Sequence, residues 1–238
     1  MTWMPRYTVY FVPPSDSAIY RLGSSLIGYD SYSGAVVPHP SDAGLPEDWP
    51  DLTKAPRPYG LHVTFVPPFR LAEGYGETDL VQAFSTFCDE PRSVATIVPE
   101  VRVIRDFVAI VPRRASGIVK QFASDCLTYF DLFRAPFTAA DHVRRLTPSL
   151  NERERWNLHR WGYPYVLREF FFHMTLTGEI GSDRRDAVAA RVSTLFVDKA
   201  AAAPLRVDRA VLLKQDQPGE GFRVLCEGII RHRVGRKR

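Results

Sequence analysis

Hydrophobic and polar positions alternate over Tyr7-Thr8-Val9-Tyr10-Phe11-Val12, the period of a half-buried strand. Pro13-Pro14 stops that run, and Ser15-Asp16 can cap a helix reaching about Leu26. Residues 29 to 57 lose the period and are rich in Gly, Pro, Ser and Asp, which predicts a long surface loop of the kind that often carries function. Alternation resumes from Gly60 to Val66 and ends at Pro67-Pro68. A helix is predicted from Thr78 to about Cys88, then strands from Glu100 to Ile104 and from Phe107 to Val111. A helical period covers Gly117 to Phe130, and a polar helical stretch runs from about Thr147 to Trp161, ending at Gly162-Tyr163-Pro164. The earlier order then recurs: a strand from Phe170 to Thr177, a helix capped by Ser182 to about Val197, and strands from Leu205 to Lys214 and from Phe222 to His232.

Strand, helix, strand, strand thus appears twice, too far apart for a solenoid repeat. Short turns between the late strands favour antiparallel pairing, so the expected class is α+β. The expected architecture is two pseudo-symmetric lobes, each a mostly antiparallel sheet with helices on its outer face, forming a central cleft. The lobes are expected to follow the halves of the chain, about 1–115 and 116–230, within one bilobal domain, with a basic tail at 231–238.

Composition narrows the class further. Hydrophobic residues at 45% and charged residues at 24% of 238 are ordinary globular values, against a disordered or membrane-spanning chain. No apolar run is long enough to cross a membrane, and the amino terminus does not read as a signal peptide. Cys88, Cys126 and Cys226 are far apart and odd in number, which fits buried free thiols in a reducing cytoplasm. The net charge is +4, but five Lys and Arg fall among residues 231–238, so the rest of the chain stands at −1. A solvated tail explains that basicity more simply than a nucleic-acid surface does.

Two strands carry candidate chemistry. Leu61-His62-Val63-Thr64-Phe65 and Phe172-His173-Met174-Thr175-Leu176 each place an imidazole and a hydroxyl on one strand face, with apolar side chains on the other. Hydroxyl residues are common enough that about one such triplet is expected by chance. His39-Pro40-Ser41 is taken as that accident, since flanking prolines leave no ladder to hold it. The other two recur in one apolar frame at the same place in both halves. One imidazole from each side suits in-line displacement at phosphorus, a base taking a proton from the attacking oxygen and an acid protonating the leaving one. Threonine hydroxyls can donate to the non-bridging oxygens. Neither a cofactor nor a metal is required, and no H-x-x-x-H or H-E-x-x-H spacing is present.

The paired H-x-T motifs resemble the 2H phosphoesterase superfamily of RNA ligase-like and cyclic phosphodiesterase-like proteins. The resemblance is closer still to an uncharacterised subfamily associated with bacterial phosphonate-utilisation operons. It rests on Arg57-Pro58-Tyr59-Gly60-Leu61-His62-Val63-Thr64 with Pro67-Pro68-Phe69-Arg70-Leu71-Ala72, on Trp161-Gly162-Tyr163-Pro164-Tyr165, and on Phe172-His173-Met174-Thr175-Leu176-Thr177-Gly178. Arg6-Tyr7 to Pro13-Pro14 fits as well, so it covers nearly the whole chain. It implies a bilobal fold and metal-independent opening of a cyclic phosphate or related phosphodiester, on a small sugar or nucleotide linked to phosphonate metabolism. His62, Thr64, His173 and Thr175 match the catalytic positions. One departure is Val66, two residues after the first Thr, where the subfamily often has Lys.

Around the motifs, Arg57, Tyr59 and Arg70 bracket the first, and Tyr163, Tyr165 and Arg168 precede the second. Aromatic rings of this kind cover a sugar or base and guanidiniums grip a second phosphate, although packing and solvated surface account for such residues equally well. Tyr10 shares a strand face with Thr8 and is a further candidate for the cleft lining. His142, His159 and His232 lack a partner motif and read as structural. Two other functions stay open at this point. One is a phosphodiesterase acting on RNA ends bearing cyclic phosphate or on 2′-5′ linkages, disfavoured by the near-neutral body. The other is a non-catalytic phosphate- or nucleotide-binding module. The expected partner is a small phosphorylated substrate, with no membrane; RNA is the less favoured one.

Overall fold

A computed structural model describes residues 4–136, 150–198 and 203–231. The first strand, β1 (Arg6–Phe11), sits inside a four-stranded sheet in the order β11-β10-β1-β4, where β4 is Val63–Phe69, β10 Arg209–Gln215 and β11 Arg223–Ile229. A second sheet has the order β6-β7-β8, from Pro99–Ile104, Phe107–Pro112 and Met174–Thr175. Between them in sequence, β5 (Ala95–Ile97) pairs with β9 (Leu205–Val207). All pairings among the described residues are antiparallel, as the short turns require.

The recurring element order is present, but the sheets do not follow the halves of the chain. The β10-β11 hairpin of the second half joins β1 and β4, while the β6-β7 hairpin of the first half joins β8. Each motif strand therefore shares its sheet with a hairpin from the other half. Local periodicity specifies strands but not partners, which is why the simple division at about residue 115 does not describe the lobes.

Helices cover the apolar faces. In α1 (Ala18–Ile27) the cap is Ser17 rather than Ser15 or Asp16: its hydroxyl accepts from the Tyr20 amide at 3.2 Å, and Gly28 ends the helix at φ 85°. In α3 (Glu77–Asp89), Leu80, Phe84, Phe87 and Cys88 recur at helical spacing and are buried, each worth about 1.5–3 kcal/mol of transfer energy for a large apolar side chain. α4 (Gly117–Phe130) matches its predicted span and packs on β4, where Phe65 meets Phe122 edge-on at 5.1 Å. A capping box between Asn151 and Glu154 starts α5 (Glu152–Trp161), and Gly162 stops it at φ 72°. The portion predicted before Leu150 falls outside the described residues, as do His142, His232 and the tail beyond Arg231. α6 (Arg185–Asp198) packs on β6 and β7, starting after a turn at 182–184 rather than at Ser182 itself.

The stretch read as a loop has more order than its composition suggests. Tyr29–Asp30 (β2) pairs with Ala35–Val36 (β3), and a single turn, α2 (Trp49–Leu52), buries Trp49 with its indole N–H donating to the Leu26 carbonyl at 2.8 Å. One large aromatic pegs the segment to the core where periodicity is absent. All three cysteines are free thiols; Cys88 and Cys126 are buried and Cys226 is half-buried. No helix among the described residues is long and apolar enough to cross a membrane.

Candidate two-histidine site

Both motifs show the same burial alternation: Leu61, Val63 and Phe65 are buried while His62 and Thr64 are half-buried, and Phe172, Met174 and Leu176 are buried while His173 and Thr175 are half-buried. The strand ladders begin later than predicted, at Val63 and Met174, so each histidine stands just before its strand. A local device holds it there. His62 Nδ1 bonds the Gly60 carbonyl at 3.0 Å, and His173 Nδ1 bonds the Phe171 carbonyl at 2.9 Å. Each imidazole is thus tied to the carbonyl two residues earlier, with Nδ1–H as donor and Nε2 as the basic nitrogen left for a ligand. Gly60 adopts φ 65° and ψ −171°, a region essentially confined to glycine, so a side chain at 60 would disturb the carbonyl that orients His62.

The two imidazoles are near enough for the charge of His173 to act on His62. Burial pushes His62 down to about 4; the Gly60 carbonyl opposes that shift and His173 adds to it. Burial also lowers His173, against the pull of the Phe171 carbonyl. Among the described residues, the Thr64 and Thr175 hydroxyls and both Nε2 atoms have no intramolecular hydrogen-bond partner. Neighbouring threonines contrast with this: Thr8 donates to the Val66 carbonyl at 2.6 Å and Thr177 accepts from the Val108 amide at 3.0 Å.

Tyr10 lies opposite Thr64 in the β1/β4 register, is 1% exposed, and stacks on His62 with ring centroids 3.9 Å apart. Tyr59 stands 6.1 Å from His62 and stacks on Phe222 at 5.6 Å. Tyr163 is close enough to bear on the ionisation of Tyr10, which burial pushes up, and it meets Tyr165 edge-on at 5.6 Å. Beside the second histidine, Phe171 is 44% exposed and stacks on His173 at 5.6 Å, with Phe107 6.1 Å away.

Two of the three expected arginines have other contacts or surroundings. Arg57 spends its guanidinium on the Ile27 and Pro50 carbonyls, at 3.1 and 2.6 Å, and on the Thr53 hydroxyl at 2.9 Å. It fastens the 29–57 segment rather than reaching toward the histidines. His39, taken as the accidental triplet, joins that anchor through Ser25 and Arg57. Arg168 is exposed and lines a separate cavity of about 720 Å³ with Glu152 and Trp156. Arg70 follows β4 with its carbonyl accepting from the Ala135 amide. Val66 is 2% exposed and opposes Val9, whereas Thr64 opposes Tyr10. We expect Arg57→Ala to cost about 1–3 kcal/mol, because it strands the carbonyl of buried Ile27 and releases the segment that Arg57 fastens. Thermal unfolding checks this, and an intact melting temperature with a raised KM would return Arg57 to the site.

Arg6, Gln215 and Phe222 were not singled out by sequence reasoning. Arg6 shares the β1 face of Thr8 and Tyr10, and its guanidinium lies 5.4 Å from the centre of the fully buried Phe222 ring. The parity of Arg6 with Tyr10 was available in the sequence; the partners, more than 200 residues away, were not.

The architecture is that of an α+β protein in which two imidazoles, each just before a strand of a different antiparallel sheet, lie near enough for one to act on the other. The chain belongs to the family described as "Protein of unknown function (DUF1045)", whose model matches residues 64–223. Two curated relatives both bear the name ribose 1,5-bisphosphate phosphokinase PhnN. That of Janthinobacterium sp. (strain Marseille) is 34% identical over 223 residues, covering 92% of this chain and 49% of the relative. That of Laribacter hongkongensis (strain HLHK9) is 31% identical over 232 residues, covering 93% and 50%. The chain spans about half the length of these relatives. Among solved structures, E. coli LigT complexed with ATP aligns over 97% of this chain and 100% of its own, with 13% identity and a TM-score of 0.42.

Proposed function

We propose that the protein is a metal-independent phosphoesterase that hydrolyses a cyclic phosphate, with His62 and His173 as the acid–base pair. The observation that carries this reading is the matched tether: two half-buried imidazoles, each fixed through Nδ1 to the carbonyl two residues earlier, beside a hydroxyl with no structural employment. A fold needs neither feature twice in the same form.

His62, which burial and the neighbouring His173 both push down, suits the base, and His173 suits the acid. His62 Nε2 takes a proton from water as its oxygen bonds to phosphorus. The ring P–O bond breaks, and His173, entering the step as the imidazolium, gives its Nε2 proton to the departing oxygen, so that a phosphomonoester and a free hydroxyl form, His173 is left neutral and His62 is left protonated. Exchange with solvent then restores both imidazoles. Thr64 and Thr175 donate to the non-bridging oxygens, whose charge grows toward the transition state.

The relatives' name points to the sugar. This chain contains no G-x-x-x-x-G-K-[ST] phosphate loop, and we assign the kinase named for the relatives to the half that this chain does not span. A ribose phosphate enzyme on the same polypeptide favours a ribose cyclic phosphate, consistent with phosphonate metabolism. The test is phosphorus NMR of chelator-treated protein with ribose 1,2-cyclic, nucleoside 2′,3′-cyclic and RNA-terminal cyclic phosphates. Opening of the ribose compound is expected; opening of the RNA end alone would move the assignment to RNA, and binding with no turnover to a phosphate-binding module.

The same assignment sets a pH dependence. A histidine titrates near 6.5 in the unfolded chain and His62 near 4 in the fold, so between those values the unfolded state binds more protons. Stability is therefore full above about pH 6.5 and falls as the pH drops toward 4. Melting temperatures across that window should fall less steeply for His62→Asn than for the wild type; identical slopes would contradict the burial of His62. Proton NMR should show His173 protonating before His62 on acidification.

A further inference from the structure

The cavity of about 720 Å³ lies between the first turns of α5 and the short turn at 167–169, and it is large enough for a nucleotide-sized ligand. None of its lining residues is among those that contact either histidine. Asn157 lines it although that residue is only 2% exposed. Its Nδ2 donates to the Pro164 carbonyl at 2.9 Å and to the Val166 carbonyl at 3.3 Å, which fixes the amide. Oδ1 is left as an acceptor with no partner among the described residues. A buried acceptor of this kind is costly unless a donor meets it.

The rim adds three different groups. Trp156 is 58% exposed, while Trp49 and Trp161 are buried. Arg168 is exposed and its guanidinium has no partner among the described residues, whereas Arg153 lies 3.8 Å from Glu169. The backbone beneath Arg168 is held, with Lys120 Nζ donating to its carbonyl at 2.6 Å. Leu167 stands at φ 55°, one of two non-glycine residues in the left-handed region among those described, a strain of the kind that collects at ligand sites. Glu152 supplies a carboxylate.

We propose that this cavity is a second ligand site, separate from the histidines, and that it takes a nucleoside monophosphate whose base carries an exocyclic amine. The base stacks on the Trp156 indole, since every base has a face to offer it. The amine donates to Asn157 Oδ1; because Nδ2 is already spent on two carbonyls, the amide cannot turn to greet an acceptor there. The phosphate pairs with Arg168, and the Glu152 carboxylate accepts from the ribose hydroxyls. These four groups call for four different parts of one molecule. A bare phosphate or an apolar compound would use only one of them.

The experiment measures AMP binding to the full chain by equilibrium dialysis and by tryptophan fluorescence, with adenosine and with AMP dimethylated on its amine as ligand controls. AMP should bind and quench Trp156. Loss of the amine protons, of the phosphate, or of the guanidinium in Arg168→Ala should each weaken binding by about 10- to 100-fold. Trp156→Ala should weaken it by about 5- to 150-fold and abolish the quenching. Both substituted side chains are exposed, so melting temperatures should hold. The His62→Ala/His173→Ala double variant should bind AMP as the wild type does, whatever the fate of the two-histidine reaction. No binding at millimolar AMP, or equal binding of AMP and its dimethylated form, would overturn the proposal. Binding that is lost with the two histidines and insensitive to Arg168→Ala and Trp156→Ala would place the nucleotide in the histidine site and overturn it as well.

Discussion

Replacing His62 or His173 by Ala should lower kcat for the proposed cyclic phosphate by about 10²- to 10⁴-fold, the scale of a lost general acid or base. The fold survives both changes. Each imidazole is half-buried and gives the structure one hydrogen bond, to the Gly60 or the Phe171 carbonyl, so the stability at stake is about 1 kcal/mol. The residues that hold the two strands are the alternate ones: Leu61, Val63 and Phe65 in the first motif, Phe172, Met174 and Leu176 in the second, all buried. Circular dichroism and melting temperature should therefore stay close to the wild type while turnover collapses. A structural role for the histidines would give the reverse, with unfolding parallel to lost activity.

Phe222→Ala should cost about 3–5 kcal/mol, the largest expected loss of stability near the site. Phe222 is fully buried, stacks on Tyr59, packs against Tyr10 and lies under Arg6; its amide donates to the Pro58 carbonyl at 2.6 Å. Truncation leaves a cavity between the 57–59 turn and β1. For a chain of this size the loss corresponds to a fall in melting temperature of roughly 6 to 20 °C. Turnover should suffer too, because the rings that orient His62 lose their support. Phe222→Leu keeps most of the volume and should recover much of both. A Phe222→Ala loss below about 1 kcal/mol would mean that the ring is not the pillar its contacts describe.

Much of the site was legible because strand period assigns faces without knowing the fold. Once Leu61, Val63 and Phe65 were read as the buried set, His62 and Thr64 had to share the opposite face, and Tyr10 followed from the first strand in the same way. The matched tether to the carbonyl two residues earlier was not legible, since it depends on backbone leaving the ladder before Val63 and Met174. Arg57 shows the opposite limit. A guanidinium beside a motif looks the same in sequence whether it grips a ligand or ties its own loop to a helix end. Arg6 is the converse case: its parity with Tyr10 was readable, but its contacts are with Gln215 and Phe222, brought to it by the pairing of β1 with β10. Partner choice between strands resides in long-range packing, which also hid the exchange of hairpins between the two halves.

The pairing of His62 and His173 on one phosphorus is tested most directly by a double-variant cycle on a single cyclic phosphate, measuring kcat for the wild type, His62→Ala, His173→Ala and the two together after chelation. Groups that act as one unit lose their effect together, so the double variant should fall about as far as the worse single variant. Losses that multiply would place the two imidazoles in independent roles, and turnover that persists in the double variant would remove them from the chemistry.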